Sequence, residues 1–403
     1  MKDIKNVFGK YNGKELEYIS RVLSTESQSS TQDNNYPSIS RLEESFCNLT
    51  GSKYAISVNS ATSGLHASLI GCGIKPGDEV IQPGLTVVMN SFVTLISGGI
   101  PVFCDIDKDT WNITADNIRP LITSRTKAIM PVSLFGVPVD LDPIMDLASE
   151  YNITVIDDSA ETVCGQYKGE WAGTKADCSI YSFENKKHIS SGSEGGIVIT
   201  NDDKYAEKIR KFCGLGYKNL TASAGRTNLA SSEFQRPNYI RHDSIGLNYR
   251  MNQVTAAVAL AQIERVEHLV ERRISVGNMF NQAVSGCNWM IPQKKSNESN
   301  HTYYTFGVIY NGFEEKGVKW EDFYNRYREM GGDGFYGAWV NPYLEEALKG
   351  KIYGNQKLEE GLCPVAENCQ KKIMLFKTNY RDLGEARKNA KILENLIRDI
   401  NLS

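Results

Sequence analysis

The chain has 403 residues, 41% of them hydrophobic and 23% charged, with a formal net charge of -3. That length allows two or three domains, or one large and one small, of ordinary globular composition. Scattered basic residues and a near-neutral balance exclude a broad field for nucleic acid or an anionic membrane.

The N-terminal stretch MKDIKNVFGKYNGKELEYI has no apolar core of the kind a signal peptide needs. The most apolar stretch, Leu85–Cys104, is interrupted by Asn90, Ser91, Gly98, Gly99 and Pro101, and reads as core rather than a membrane span. Nine cysteines form no CxxC pair and no zinc-type spacing with histidine. They are expected to be buried, reduced thiols, and the chain is expected in the cytoplasm.

Residues 13–25 have helical spacing, with Leu16, Ile19 and Leu23 on one face and Val22 beside them. Thr25–Pro37 is polar and predicts a surface loop. Ser40–Leu49 predicts a second helix with Leu42, Phe46 and Leu49 inward. From Tyr54 on, short apolar strand runs (YAISV, DEVIQP, PVFCDI, AIMPVSL, ITVIDD, DCSIYSF, GGIVIT) alternate with helical or irregular segments. That alternation predicts an α/β domain over 1–250, a mostly parallel sheet with helices on both faces. Asp203–Cys213 predicts a helix. Gly214–Asp243 is polar and aperiodic, a length of loop that is usually functional. The segment GLNYRMNQVTAAVALAQIERVEHLVERR leads into one long helix with a stripe of Ala256, Ala257, Leu260, Ile263 and Val266. It bridges to a smaller α+β domain, 251–403, which includes a strand in TYYTFGVIY and a final amphipathic helix over Ala386–Ile400.

Three motifs carry chemistry. Asn59–Gly64, NSATSG, opens a helix where free N–H groups and the dipole favour an anion; taken alone, a helix cap explains it better. VIDDSAE ends a strand in two acids, Asp157 and Asp158, which cannot face the same way in an extended segment. YSFENKKHISSGSE places Lys186 and Lys187 between two apolar strands, where a solvated surface lysine is not expected. An amine that forms imines, an acid for a pyridine nitrogen and a phosphate cradle are the parts that hold pyridoxal 5'-phosphate (PLP).

In that order the motifs resemble the DegT/StrS family of PLP-dependent sugar aminotransferases over about residues 10–400. The resemblance is carried by NSATSGLHASLIGCGIKPGDEVIQP, GGIPVFCDID, TKAIMPVSLFGVPVDLDPI, VIDDSAETVCGQYKGEWAGTKADCSIYSF and GLNYRMNQVTAAVALAQIERVE. It implies PLP fold type I, with a seven-stranded sheet. Lys187 would hold PLP in an imine, Asp158 would pair with the ring nitrogen and Glu161 would lie beside the ring. Thr62, Ser63 and Ser182 would hold the phosphate. Asn248 would reach it from a second subunit of a homodimer. The cofactor would alternate between PLP and pyridoxamine 5'-phosphate as L-glutamate gives its amine to a keto-sugar, nucleotide-linked, for amino-sugar and polysaccharide biosynthesis. Two positions depart from the family pattern: Val87 stands where an aromatic residue stacks on the ring, and Ser133 where histidine is common.

The register has an alternative. Counting forward from Ser182 gives Lys187, whereas counting back from Glu194 gives Lys187 for a longer turn and His188 for a shorter one. A family branch with histidine there works as a sugar 3-dehydratase. The forward count needs no gap, and Lys187 is preferred. A non-catalytic protein of the same fold is the third reading, supported only by Val87. The substrate is expected to be set by Gly214–Asp243, with Arg226, Arg236 and Arg241, and by the run Phe335–Trp339.

Overall fold

A computed structural model describes residues 10–26, 38–225 and 231–402. Most of Thr25–Pro37, and Arg226, lie outside them. Seven strands form the main sheet: β1 (Tyr54–Val58), β2 (Glu79–Pro83), β3 (Ile100–Cys104), β4 (Thr126–Ile129), β5 (Thr154–Asp158), β6 (Cys178–Ser182) and β7 (Gly196–Thr200). Their order is β1-β7-β6-β5-β4-β2-β3. β7 runs antiparallel to β1 and β6, and every other pairing is parallel. The mostly parallel seven-stranded α/β architecture is therefore as expected.

The helices around it are α1 (Glu15–Glu26), α2 (Ser38–Thr50), α3 (Ala61–Gly71), α4 (Met89–Ile96), α5 (Leu141–Tyr151), α6 (Asp203–Cys213), α7 (Gln253–Ile263) and α8 (Val266–Ala283). The strands read as continuous apolar runs because both faces are covered. Ile56, Val58, Ile156, Ile180 and Val198 pack against Leu65 and Leu69 of α3. Their neighbours Ala55, Tyr181, Ile197 and Ile199 face Tyr18, Val22, Phe46 and Leu260 on α1, α2 and α7. Phe46, fully buried, lies 5.1 Å from the Tyr181 ring and 6.1 Å from Phe183. Truncating it to alanine costs about 3–5 kcal/mol.

Two helical expectations need correction. α1 buries Glu15, Tyr18 and Val22, while Leu16 and Leu23 stand more than half exposed. Polar anchors set that rotation: Glu15 binds Gln262 and Arg265, and the Tyr18 hydroxyl donates to Glu264 at 2.6 Å. The long helix after Asn252 is two helices. It breaks at Arg265 (φ -135, ψ 24), whose guanidinium turns back to Glu15, Asn12 and the Lys10 carbonyl. α7 is also buried on every side along Ala256–Ile263, not along a stripe.

A second, antiparallel sheet follows: β8 (Met290–Pro292), β9 (Thr305–Tyr310), β10 (Tyr336–Gly337) and β11 (Ile373–Lys377), in the order β8-β9-β11-β10. Its aromatic core joins Phe280 of α8 to Phe323 and Tyr327 of α9 (Trp320–Glu329) and to Leu393 of α10 (Leu383–Leu402). All nine cysteines are free, six of them buried and three half-buried. Among the described residues no helix is long and apolar enough to cross a membrane.

Candidate active site

The site is built at the carboxyl ends of β1, β5 and β6, where ligands bind in parallel sheets. After β1 the chain turns into α3. Ser60 caps that helix in extended geometry (φ -161, ψ 158), its Oγ accepting from Ser63 N at 3.1 Å and lying 2.9 Å from Ser63 Oγ. Thr62 and Ser63 are half-buried in the first turn. With Ser60 committed to Ser63, the amides of Ala61 and Thr62 have no partner inside the helix and are left for an anion. Gly196 makes this turn possible. A Cβ there would lie 2.7 Å from Ala61 N and 2.9 Å from Ala61 Cα, so only glycine lets β7 come this close.

The pleat separates the two acids of β5. Asp158 shares a face with Ile156, under α3; Asp157 points to the other. Asp158 Oδ2 accepts from Asn90 Nδ2 at 3.0 Å and Oδ1 from Ala160 N at 3.1 Å. Burial pushes its carboxyl above the ordinary range, against the pull of Asn90, Ala160 and the Lys187 charge. Asp157 accepts from Ser159 Oγ, and its Oδ1 has no partner among the described residues. Burial pushes it up to about 7.

Lys187 and Glu161 meet beside Asp158. Lys187 Nζ donates to Glu161 Oε1 at 3.0 Å and sits 4.3 Å from the centre of the Tyr304 ring. Glu161 Oε2 accepts from Phe135 N at 2.9 Å. Burial by itself would lower the lysine pKa, but Glu161, Tyr304 and Asp158 outweigh it and hold the amine above its ordinary value. The segment carrying the lysine is pinned from behind. Arg273 donates to the Lys186 and Lys187 carbonyls at 2.6 and 2.7 Å, and Lys10 Nζ to those of Asn185 and Lys187 at 2.6 and 3.1 Å.

The neighbours of Lys187 point elsewhere. Lys186 is exposed. His188 is buried, its Nε2 on the Thr302 carbonyl at 3.0 Å, and its Nδ1 has no hydrogen-bonding partner among the described residues. Ser182, buried at the end of β6, accepts from Glu184 N at 3.3 Å. Asn248 is exposed, its Oδ1 held by Arg250 Nε at 3.0 Å; the adjacent Tyr249 carbonyl accepts from Asn59 N at 2.8 Å, at the entry to the α3 turn. Val87 is half-buried in the loop after β2. Ser133 is buried: its N–H donates to the Asp158 carbonyl at 3.0 Å and its Oγ accepts from Val139 N at 3.1 Å.

The aromatic run divides. Phe335 is core, whereas Trp339, partly exposed, stacks on Phe135 at 5.4 Å and 26°. Phe135 is the residue whose amide holds Glu161, so Trp339 stands at the rim of the site. Arg241 is tied to the Phe234 carbonyl at 3.1 Å, and Arg236 is exposed. Sequence reasoning missed Asn90, Tyr304 and Arg273. Only Asn90 left a signal, a carboxamide within an apolar stretch. The donor set fits PLP: a buried carboxylate lacking a full counter-charge suits a protonated pyridine nitrogen, a helix N-terminus suits the phosphate, and one lysine reaches between them.

Comparison with known proteins gives a consistent picture. The sequence model of the DegT/DnrJ/EryC1/StrS aminotransferase family matches residues 14–379. The chain is 34% identical over 304 residues to a GDP-perosamine synthase of Escherichia coli O157:H7, covering 75% of this chain and 77% of that protein. It is 41% identical over 240 residues to a GDP-perosamine synthase of Caulobacter vibrioides, covering 59% and 60%. An aminotransferase from Psychrobacter cryohalolentis superposes with a TM-score of 0.84 at 25% identity, covering 96% of this chain and 97% of that one.

Proposed function

Because this chain belongs to the DegT/DnrJ/EryC1/StrS aminotransferase family of PLP-dependent sugar aminotransferases, we propose that it transfers an amino group from L-glutamate to the ketone of a nucleotide-linked sugar in the cytoplasm. The relatives named GDP-perosamine synthase make a GDP-linked keto-sugar the first acceptor to test. The observation that carries the reading is the convergence of Lys187, Glu161 and Asp158 beside the N-terminus of α3.

When bound, PLP supplies an electron sink that acidifies the C–H bond next to an attached nitrogen. The chain's residues do the rest. The α3 turn, through Thr62 and Ser63, and Ser182 anchor the phosphate. Asp158, held by Asn90 and Ala160 N, keeps a proton on the ring nitrogen. Lys187 Nζ, once neutral, would move the proton between cofactor and substrate carbons, and Glu161, 3.0 Å away, holds that amine in position. The Tyr304 ring, 4.3 Å from the amine, covers the lysine on one side. Trp339, on Phe135, offers a platform for the nucleotide base.

Two copies are proposed to complete each site through Asn248. In support, Ile240, Ile245 and Leu247, in the segment that carries Asn248, are 71%, 91% and 42% exposed in the single chain. The dehydratase reading is less well supported, because His188 is turned to the Thr302 carbonyl. The test is a mass-spectrometric panel of keto-sugars, GDP-linked, linked to other nucleotides and free, with L-glutamate. Glutamate-dependent conversion of a nucleotide-linked ketone to its amine is expected. Conversion of a free sugar alone, or loss of water in place of amination, would overturn the assignment.

A further inference from the structure

Between Phe183 and Ser191 the chain is neither helix nor strand, yet it carries Lys187. Its own backbone bonds are local: Lys187 N donates to the Glu184 carbonyl at 2.9 Å and Lys186 N to Glu184 Oε2 at 2.9 Å. Neither bond sets where the turn sits relative to the rest of the site. Apart from the contact of His188 with the Thr302 carbonyl, that placement comes from side chains outside the segment, Arg273 above all.

Arg273, on α8, is 5% exposed and pairs with no carboxylate among the described residues. Glu184 and Glu161 act on it only through space, and burial pulls its guanidinium down to about 10. Burying a cation in this way costs stability unless its donors are satisfied. Its terminal nitrogens are satisfied, by oxygens on either side of the reactive amine. Nη2 donates to the Lys186 and Lys187 carbonyls at 2.6 and 2.7 Å. Nη1 donates to the Tyr304 carbonyl at 2.9 Å and to Thr378 Oγ1 at 3.3 Å. Tyr304 is the residue whose ring lies 4.3 Å from Lys187 Nζ. One planar group therefore joins the backbone that carries the amine to the backbone that carries the ring covering it. A guanidinium holds its donors in a fixed fork, so it sets the separation of the two. Lys10, the other cation on this segment, reaches only the Asn185 and Lys187 carbonyls and spans no such gap.

We propose that Arg273 is a positioning residue for the reaction, fixing the Lys187 amine between Glu161 and Tyr304 through the backbone carbonyls on either side. The inference rests on Lys187 being the residue that bonds PLP, as proposed above. The effective concentration of the amine at the PLP aldehyde then depends on Arg273 as well as on Lys187.

The test measures that effective concentration in full-chain protein saturated with PLP. Ethylamine competes with Lys187 for the aldehyde, borohydride fixes whichever amine is bonded, and peptide mass spectrometry counts the label left on Lys187. Arg273→Lys keeps the charge without the fork. Arg273→Gln keeps an N–H donor without the buried charge, and carries the test if the first variant does not fold. Arg272→Lys is the control, because Arg272 bonds the Tyr380 and Arg381 carbonyls and not the lysine segment. Thermal unfolding and bound PLP per chain establish that each variant is folded and loaded. The ethylamine concentration that halves the label should fall about 10- to 100-fold in the Arg273 variants, the scale of a misplacement of about 1 Å. In Arg272→Lys it should stay within about twofold of the parent. A merely structural role would lower Tm and leave that concentration unmoved. The proposal is overturned if the Arg273 variants match the parent, or if Arg272→Lys falls as far as they do. A parent with no label on Lys187 overturns the reading of Lys187 itself, and the positioning role with it.

Discussion

Asn90→Leu tests how the proposed ring-nitrogen acid is maintained. Asn90 is fully buried and gives Asp158 Oδ2 its only side-chain hydrogen bond among the described residues, at 3.0 Å. Leucine has the same branched heavy-atom skeleton and cannot donate. A hydrogen bond to a charged group contributes about 1.5–3 kcal/mol, so the ionised form of Asp158 should lose about ten- to 150-fold in favourability at about 1.4 kcal/mol per factor of ten. The direction follows from the signs. Burial raises the Asp158 carboxyl and Asn90 opposes that rise, so its removal raises it further. The acid limb of the pH–rate profile then moves to higher pH by about one to two units, and turnover on that limb falls by the same factor. Stopped-flow absorbance of the half-reaction with L-glutamate, from pH 5 to 9, measures both. An unmoved acid limb with a rate within about twofold of the parent would mean that Asp158 does not depend on Asn90 and that the assignment of the acid is wrong.

Other outcomes follow from the same geometry. Asp157→Asn should keep turnover, whereas Asp158→Asn should nearly abolish it; steady-state rates of the two variants decide between the acids. The Asp157 carboxyl, raised from 3.8 to about 7 by burial, costs stability as pH rises through that window, because the native state must hold a proton that the unfolded chain releases. Asp157→Asn should therefore gain stability at pH 8, by no more than about 4 kcal/mol, and flatten the pH dependence of urea unfolding. Borohydride-treated, digested protein should carry the phosphopyridoxyl mass at Lys187 and not at Lys186; label on Lys186 would displace the register by one. Trp339→Ala should raise KM for a nucleotide-linked acceptor by about tenfold, in line with about 0.5–1.5 kcal/mol for an aromatic stack plus lost area, and leave the glutamate half-reaction unchanged. Light scattering should find a dimer or larger assembly at assay concentration, and an active monomer would remove Asn248 from the site.

What could be read in the chain was whatever repeats locally. Strand runs flanked by turns placed all seven strands of the main sheet, because burial on both faces leaves a continuous apolar signature. The pair Asp157–Asp158 stayed ambiguous until the pleat put Asp158 with Ile156. The face of α1 was misread because leucine spacing was weighed and the partners of Glu15 and Tyr18, on α7 and just beyond it, lie some 250 residues away. Asn90 reaches Asp158 across 68 residues and Arg273 reaches Lys187 across 86. No local period encodes such pairings.

The two strands that bracket Lys187 are neighbours in the sheet, with Ser182 opposite Gly196. Phe183 N bonds the Gly195 carbonyl at 2.9 Å and Ser191 N returns to the Phe183 carbonyl at 3.0 Å. The segment is thus closed twice: once at its base, and once just past the lysine. Residues 192–194 hang beyond the inner closure. A residue gained or lost there changes a small outer turn at a cost of about 0.6 kcal/mol per doubling of its length, and the amine stays where it is. Length variation at residues 192–194 is therefore nearly free for evolution, whereas a single insertion between Ser182 and Lys187 would have to rotate the amine away from Glu161.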